Sequence, residues 1–236
     1  MRTDGGAQYR QGGQVLYRDA TGGIVGREWF ELCHHAAGHT LRAFCEMDDI
    51  GLTRDVTLAL DETWRPIDGF CRITERGQVT AATHIAVGQG QASLRGLVRR
   101  AGRLEATEAV LATPTPPAYL GLHPLQGDAL IVNCVPGLAP GAVAQVPSLT
   151  NSHSPDGEQD VGLHGLVISV TFRGHETVDV AAGRFAARRF ALQWGPDWPP
   201  ADLWVREEDC LFLCMRWSMT PRWYELASLD DGRPTI

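Results

Sequence analysis

From Gly26 to Leu111 one pattern repeats: apolar and polar residues alternate over seven to nine positions, a break carrying Gly or Pro follows, and alternation resumes. A period of two is the side-chain period of a β-strand, and it does not suit a helix. In the stretch LRAFCEMDDIGLTRDVTLAL, one face carries Leu41, Ala43, Cys45 and Met47, and the other carries Arg42, Phe44, Glu46 and Asp48. After Ile50-Gly51 the same alternation sets Val56, Leu58 and Leu60 against Thr53, Asp55 and Thr57. Strands are therefore predicted at about 26–32, 40–48, 53–61, 69–75, 79–87, 92–98 and 103–111. The breaks between them can only close tight turns, so consecutive strands run antiparallel as a meander.

The middle of the chain loses the period. Residues 112–141 are proline-rich and briefly helical in pattern, from Leu125 to Asn133. Residues 143–162, VAQVPSLTNSHSPDGEQDVG, are polar and rich in turn formers, and read as a long loop with the character of a lid. Strand patterns resume at 165–173, 176–181, 184–194, 202–207, 210–218 and 222–228. Residues 1–20 read as a flexible, glycine-rich leader, and the whole of 1–236 as one β-rich domain.

Composition removes several functions. The chain has no lysine, so its 21 basic residues are all arginine, and chemistry that needs a lysine Schiff base is excluded. A net charge of -7 without a basic block gives no footprint for nucleic acid or an anionic membrane. The N-terminal residues carry no apolar signal-peptide core, and no apolar run is long enough for a membrane helix, so the expected location is the cytoplasm. The six cysteines form no C-x-x-C pair and read as free core residues. Neither a G-x-S-x-G elbow, a phosphate-binding P-loop nor an H-E-x-x-H zinc motif is found, and neither a metal nor a cofactor is expected.

The segments VDVAAGRFAARRFALQW, DLWVREEDCLFLCMRW and RWYELASL resemble the terminal meander of the bacterial half-barrel, or β-clam, proteins related to lipoprotein-localisation factors. The shared features are a valine-rich strand, an Ala-Gly turn before an aromatic residue, and a paired hairpin of the form xLWV followed by L.L.M.W. The resemblance implies a single highly curved antiparallel sheet, here of about 11–13 strands counted from the alternation, with one inserted helix covering a hydrophobic cavity. It also implies a lipid or another long apolar ligand, since the best-known members carry lipid chains.

Two charges break the alternation. Asp49 and Arg54 fall on the apolar side of their hairpin, where parity brings them out on one face, as an ion pair or as the polar anchor of a cavity wall. Glu46, Asp48 and Asp55 sit with Arg42 on the opposite face, and the residues do not fix which face is concave. His34, His35 and His39 in CHHAAGH read as loop histidines, because their spacing fits no standard zinc pattern. His84 lies mid-strand between Ala82 and Ala86 on its face, with room for an acid or base role. Tyr224 is a hydroxyl donor, and Trp29, Trp64 and Trp217 supply aromatic walls. Arg188 and Arg189 are adjacent, so one must point inward; Arg189 is taken as an anion contact.

The function expected from these residues is a cofactor-independent enzyme acting on an apolar or aromatic small molecule. Asp49 or His84 would serve as base, Arg54 as holder of an anionic oxygen and Tyr224 as donor, in lyase or isomerase chemistry such as retro-aldol cleavage of an aromatic catabolite. The alternative is a noncatalytic carrier of a lipid or other hydrophobic ligand. No nucleic acid or membrane partner is expected, and a homodimer is left open.

Overall fold

A computed structural model of the chain describes residues 9–233. Fifteen strands form one sheet. They are β1 (Tyr9–Asp19), β2 (Ile24–His35), β3 (Gly38–Met47), β4 (Leu52–Leu60), β5 (Pro66–Glu75), β6 (Gln78–Val87), β7 (Gln91–Arg100), β8 (Arg103–Ala112), β9 (Tyr119–Gly121), β10 (Val143–Thr150), β11 (His164–Val180), β12 (Gly183–Gln193), β13 (Ala201–Arg206), β14 (Phe212–Arg216) and β15 (Arg222–Asp231). A single short helix, α1 (Leu125–Ala129), runs into a 3-10 turn at Leu130–Cys134. Among the described residues no helix is long and apolar enough to cross a membrane.

The spatial order is β8-β7-β6-β5-β4-β3-β2-β1-β15-β14-β13-β12-β11-β10-β9. The first and last strands pair in the middle, and two arms run outward from them. Every pairing is antiparallel except that of β9 with β10. The link between the arms dictates the curvature. A flat sheet of this size would hold its two edge strands ~65 Å apart, yet β8 and β9 are joined by residues 113–118 alone, a segment that reaches ~25 Å when extended. The sheet must bend to bring its edges toward each other. Leu111 of β8 accordingly comes to 3.4 Å from where a Cβ on Gly165 of β11 would stand. The sheet stays unclosed, with β8 and β9 as separate edges.

The inward face is the apolar one read from the alternation. Leu41, Ala43, Cys45 and Met47 of β3 and Leu52, Val56, Leu58 and Leu60 of β4 are all buried. Helix α1 packs on this face without a side-chain cap of its own. Instead the buried Glu28 carboxylate of β2 accepts the N–H groups of Leu125 (2.6 Å) and Gln126 (3.0 Å). The Gln126 side chain completes the anchorage, donating to Cys210 O and accepting from Phe212 N.

The described residues hold fifteen strands where about 11–13 were expected, and several segments differ from the sequence reading. Tyr9–Asp19, read as leader, is a central strand. Val143–Thr150, read as the first half of a loop, is β10, which leaves 151–163 as the loop. His34, His35 and His39 lie on β2 and β3 rather than in a loop, where His34 and His39 face each other and stack with Tyr9 and Trp64. None of the six cysteines is bonded to another.

Candidate functional site

A cavity of about 480 Å³ opens on the inner face. One part of its wall is aromatic and apolar, with Trp194, Trp198, Trp217, Met215 and Ile168. The indoles of Trp194 and Trp198 pack against Trp217 at 5.0 and 5.5 Å between ring centroids. The other part is polar and comes from separate elements: Arg54 from β4, Tyr17 from β1, Tyr224 from β15, Tyr119 from β9, Asp128 from α1 and His123 from the turn before it.

Arg54 is the largest fully buried side chain among the described residues. Its position in β4 sets it inward, opposite Cys45 in the ladder. One nitrogen, Nη2, donates to the backbone carbonyl of Asp156, while Nε and Nη1 have no hydrogen-bonded partner. Arg206 and Arg222, also buried, each bond two carboxylates at 3.0 Å or less. Among the described residues no carboxylate pairs with Arg54. A guanidinium stays charged at any ordinary pH, and a buried charge without a counter-charge costs several kcal/mol.

The turn that covers Arg54 belongs to the loop 151–163. Gly157 has a φ of +70°, and a Cβ there would stand 2.5 Å from His123 Cδ2 and 2.9 Å from Arg54 Nη2. The turn is held by Arg222, whose guanidinium bonds the Asp156 carboxylate at 3.0 Å and that of Asp49 at 2.7 Å. Ser152 and Ser154 brace its base, at 3.1 Å from each other.

Electrostatics divide the polar wall. Burial lifts the Asp128 carboxyl to about 7, and the nearby Glu28 adds to the rise, while the hydrogen bond from Tyr119 at 2.9 Å and the charge on Arg54 oppose it. His123 is driven down to about 3 by burial and by Arg54, so it is neutral. Burial raises Tyr17, Tyr119 and Tyr224, which stay protonated. At neutral pH, then, Arg54 is the fixed positive charge of this wall and Asp128 is the group poised to change its own.

Of the residues singled out in the sequence, Arg54, Tyr224 and Trp217 line the cavity. Tyr224 Oη lies 3.3 Å from Thr220 Oγ1, and its ring meets Tyr17 edge-on at 5.0 Å. Asp49 does not pair with Arg54. The ladder ends at Met47 opposite Leu52, so Asp49 sits in the turn, off the strand, and turns to Arg222. His84 is exposed on the other face, 3.7 Å from Asp68. Trp29 is exposed and stacks on Phe44, Trp64 stacks on His39 at 3.7 Å, and Arg189 pairs with Asp202 at 3.0 Å over the Trp204 ring. None of these four lines the cavity. Asp128, Tyr119 and His123 were not singled out; a lone acid in the apolar run LQGDALIV was the signal for the first.

No family model matches the chain, and no curated protein matches it. Among solved structures it is similar to a β-barrel-like protein of domain of unknown function DUF1849 from Brucella abortus, at 10% identity and a TM-score of 0.58, covering 97% of this chain and 99% of that one. It is also similar to a DUF1089 family protein from Pseudomonas aeruginosa, at 15% identity and a TM-score of 0.47, covering 79% and 87%. At such identity the first likeness speaks for the fold alone: a mainly β chain in one large curved sheet of barrel-like form.

Proposed function

We propose that the chain is an enzyme that needs no cofactor and performs acid–base chemistry on an apolar or aromatic small molecule whose anionic oxygen is held by Arg54. The observation that carries this reading is the buried guanidinium with two unpartnered nitrogens in a cavity wall. A preorganised cation in water-excluded surroundings is what a developing enolate or phenolate needs. The tryptophans supply the apolar part of the site. Asp128 takes the place that Asp49 and His84 held in the sequence reading, since a carboxyl near 7 can both take and return a proton. Lyase or isomerase steps, such as retro-aldol cleavage of an aromatic catabolite, consist of one proton removed and one returned around an oxyanion.

The reading includes the finer fold: a half-barrel whose hydrophobic cavity is covered by α1. It also includes the turn at 152–159 as a lid, because the anion replaces the Asp156 carbonyl on Arg54. The test is calorimetric titration with trans-cinnamate and 2-naphthoate, each against its neutral amide, for the wild type and Arg54→Met. Carboxylates are expected to bind at least tenfold more tightly than amides, and Arg54→Met to abolish the difference. Equal affinity for acid and amide sinks the anchor. Tight binding of long-chain apolar molecules regardless of headgroup turns the reading to a carrier.

A further inference from the structure

We propose that the ligand of this cavity binds as a monoanion and that binding draws one proton onto Asp128, so that Asp128 enters the reaction as the acid. This rests on Arg54 being the anion anchor and goes on to assign the charge of the ligand and the protonation state of the complex.

The argument is a count of charges around one cavity. Arg54 is the one cation of the polar wall with no carboxylate bonded to it, because Asp49 and Asp156 both turn to the Arg222 guanidinium, and Asp156 acts on Arg54 only through space. His123 is neutral. His153 also lines the cavity, and burial lowers it. The phenols of Tyr17, Tyr119 and Tyr224 stay neutral through burial. On the negative side stand Asp156, paired with Arg222, then Asp128 and, behind it, Glu28, whose carboxyl burial raises against the pull of its bonds from Gln126 and Leu125. A ligand with one negative charge matches Arg54. A dianion such as a phosphate ester would leave a buried negative charge facing two carboxyl groups, which is the costlier arrangement.

The same count fixes the proton. In the free protein the Arg54 charge is one of the influences that hold the Asp128 carboxyl down. An anion on Arg54 cancels that influence, adds a negative charge to the same wall and excludes water from it. Each change favours the neutral carboxylic acid. Tyr119 then keeps Asp128 in place through its hydroxyl, and the acid faces the bound molecule with a proton to give. In a retro-aldol step the electron pair of the breaking C–C bond takes that proton at the carbanion carbon, and the Asp128 carboxylate so formed accepts the proton of the hydroxyl that becomes the carbonyl, so no proton is gained or lost over the step.

Isothermal titration of the full chain with trans-cinnamate, in two buffers of different ionisation enthalpy, reads the proton directly. At pH 8 the expected uptake approaches one proton per ligand, and at pH 5.5, where Asp128 already carries it, the uptake approaches zero. Because the competent form is the protonated one, apparent affinity should fall about tenfold from pH 6 to pH 8. Asp128→Asn should bind the same ligand with no uptake and a flat pH profile, which separates Asp128 from His153 as the group that titrates. Binding at pH 8 without proton uptake by the wild type overturns the inference and leaves the Arg54 anchor standing. Tighter binding of phenyl phosphate than of cinnamate overturns the monoanion. Failure of the wild type to distinguish acids from amides overturns both the anchor and what rests on it.

Discussion

Replacing Arg54 by methionine separates an anchor kept for a ligand from a clamp kept for the fold. The native guanidinium has one hydrogen bond, to Asp156 O. A bond of that charge-assisted kind nets about 1.5–3 kcal/mol. Against it stands the desolvation of an ion with no carboxylate partner, which costs several kcal/mol. Methionine fills most of the buried stem without the charge, and the neighbouring Cys45 and Cys71 thiols stay neutral through burial. The balance predicts a variant that is unchanged or stabilised by up to about 3 kcal/mol, which for a chain of this length raises Tm by about 2–4 °C per kcal/mol. The same variant should titrate Asp128 above about 7, because one of the influences lowering it is gone. Urea denaturation measures the first quantity and the carboxyl chemical shift of Asp128 against pH the second. A loss of more than about 3 kcal/mol, beyond what the single bond is worth, would show that Arg54 exists to pin the 152–159 turn, and the functional reading of it would fall.

Glu28→Ala strips the two N–H groups at the start of α1 of their acceptor and is expected to cost about 3–5 kcal/mol in urea denaturation. Gly157→Ala forces a Cβ against His123 and Arg54 at a positive φ, so limited proteolysis within 152–160 should quicken while the global unfolding midpoint moves little. The Asp128 carboxyl is raised from its ordinary value to about 7; the folded state thus holds a proton that the unfolded chain releases. Stability should fall as pH rises from about 4 to about 7, level off above, and lose that slope in Asp128→Asn. His84→Ala, at an exposed position beside Asp68, should stay within about 0.5 kcal/mol of the wild type and bind ligand unchanged; a loss of binding would return His84 to the site.

The strands β2 to β8 were legible because each keeps a period of two between turn residues. Those that were missed break the period for identifiable reasons. In β1 the inward position at Gln11 is a buried amide bonded to Asp209 and His34, and Gly13 lies under the Phe30 ring, where a Cβ would come within 2.9 Å of it. Polar and absent side chains face inward there, and the strand reads as a leader. In β10, Pro147 argues against a strand, but only Ser148–Thr150 of it pair with β9, so the missing N–H falls just outside that ladder, where Pro147 O accepts from Ala118 N. In β11 the register shifts between Phe172 and Gly174, and the bulge made one 17-residue strand look like two.

Arg54 was found because its face follows from strand parity alone, and Asp49 was misplaced because parity stops where the ladder stops, at Met47 and Leu52. The difference marks a general boundary in this chain. The sheet supplies Arg54, Tyr17, Tyr224 and Trp217, at positions that alternation assigns to the inner face or leaves beside it. Tyr119, His123 and Asp128 come from the short edge strand β9 and the crossover that follows it, and Asp156 from the loop between β10 and β11. The part after β9 crosses the concave face because β9 and β10 pair in parallel, so the chain must return from the end of one strand to the start of the next. Its course and that of the loop are set by partners far away in sequence, Glu28 for the helix and Arg54 and Arg222 for the turn, so no local pattern encodes them. Rigid periodic strands thus fix the cation, and an aperiodic crossover carries the groups whose charge can change. That division places the titrating chemistry on a segment between strands, where function is commonly carried, anchored by Glu28, while a separate turn held by Arg222 covers the cation.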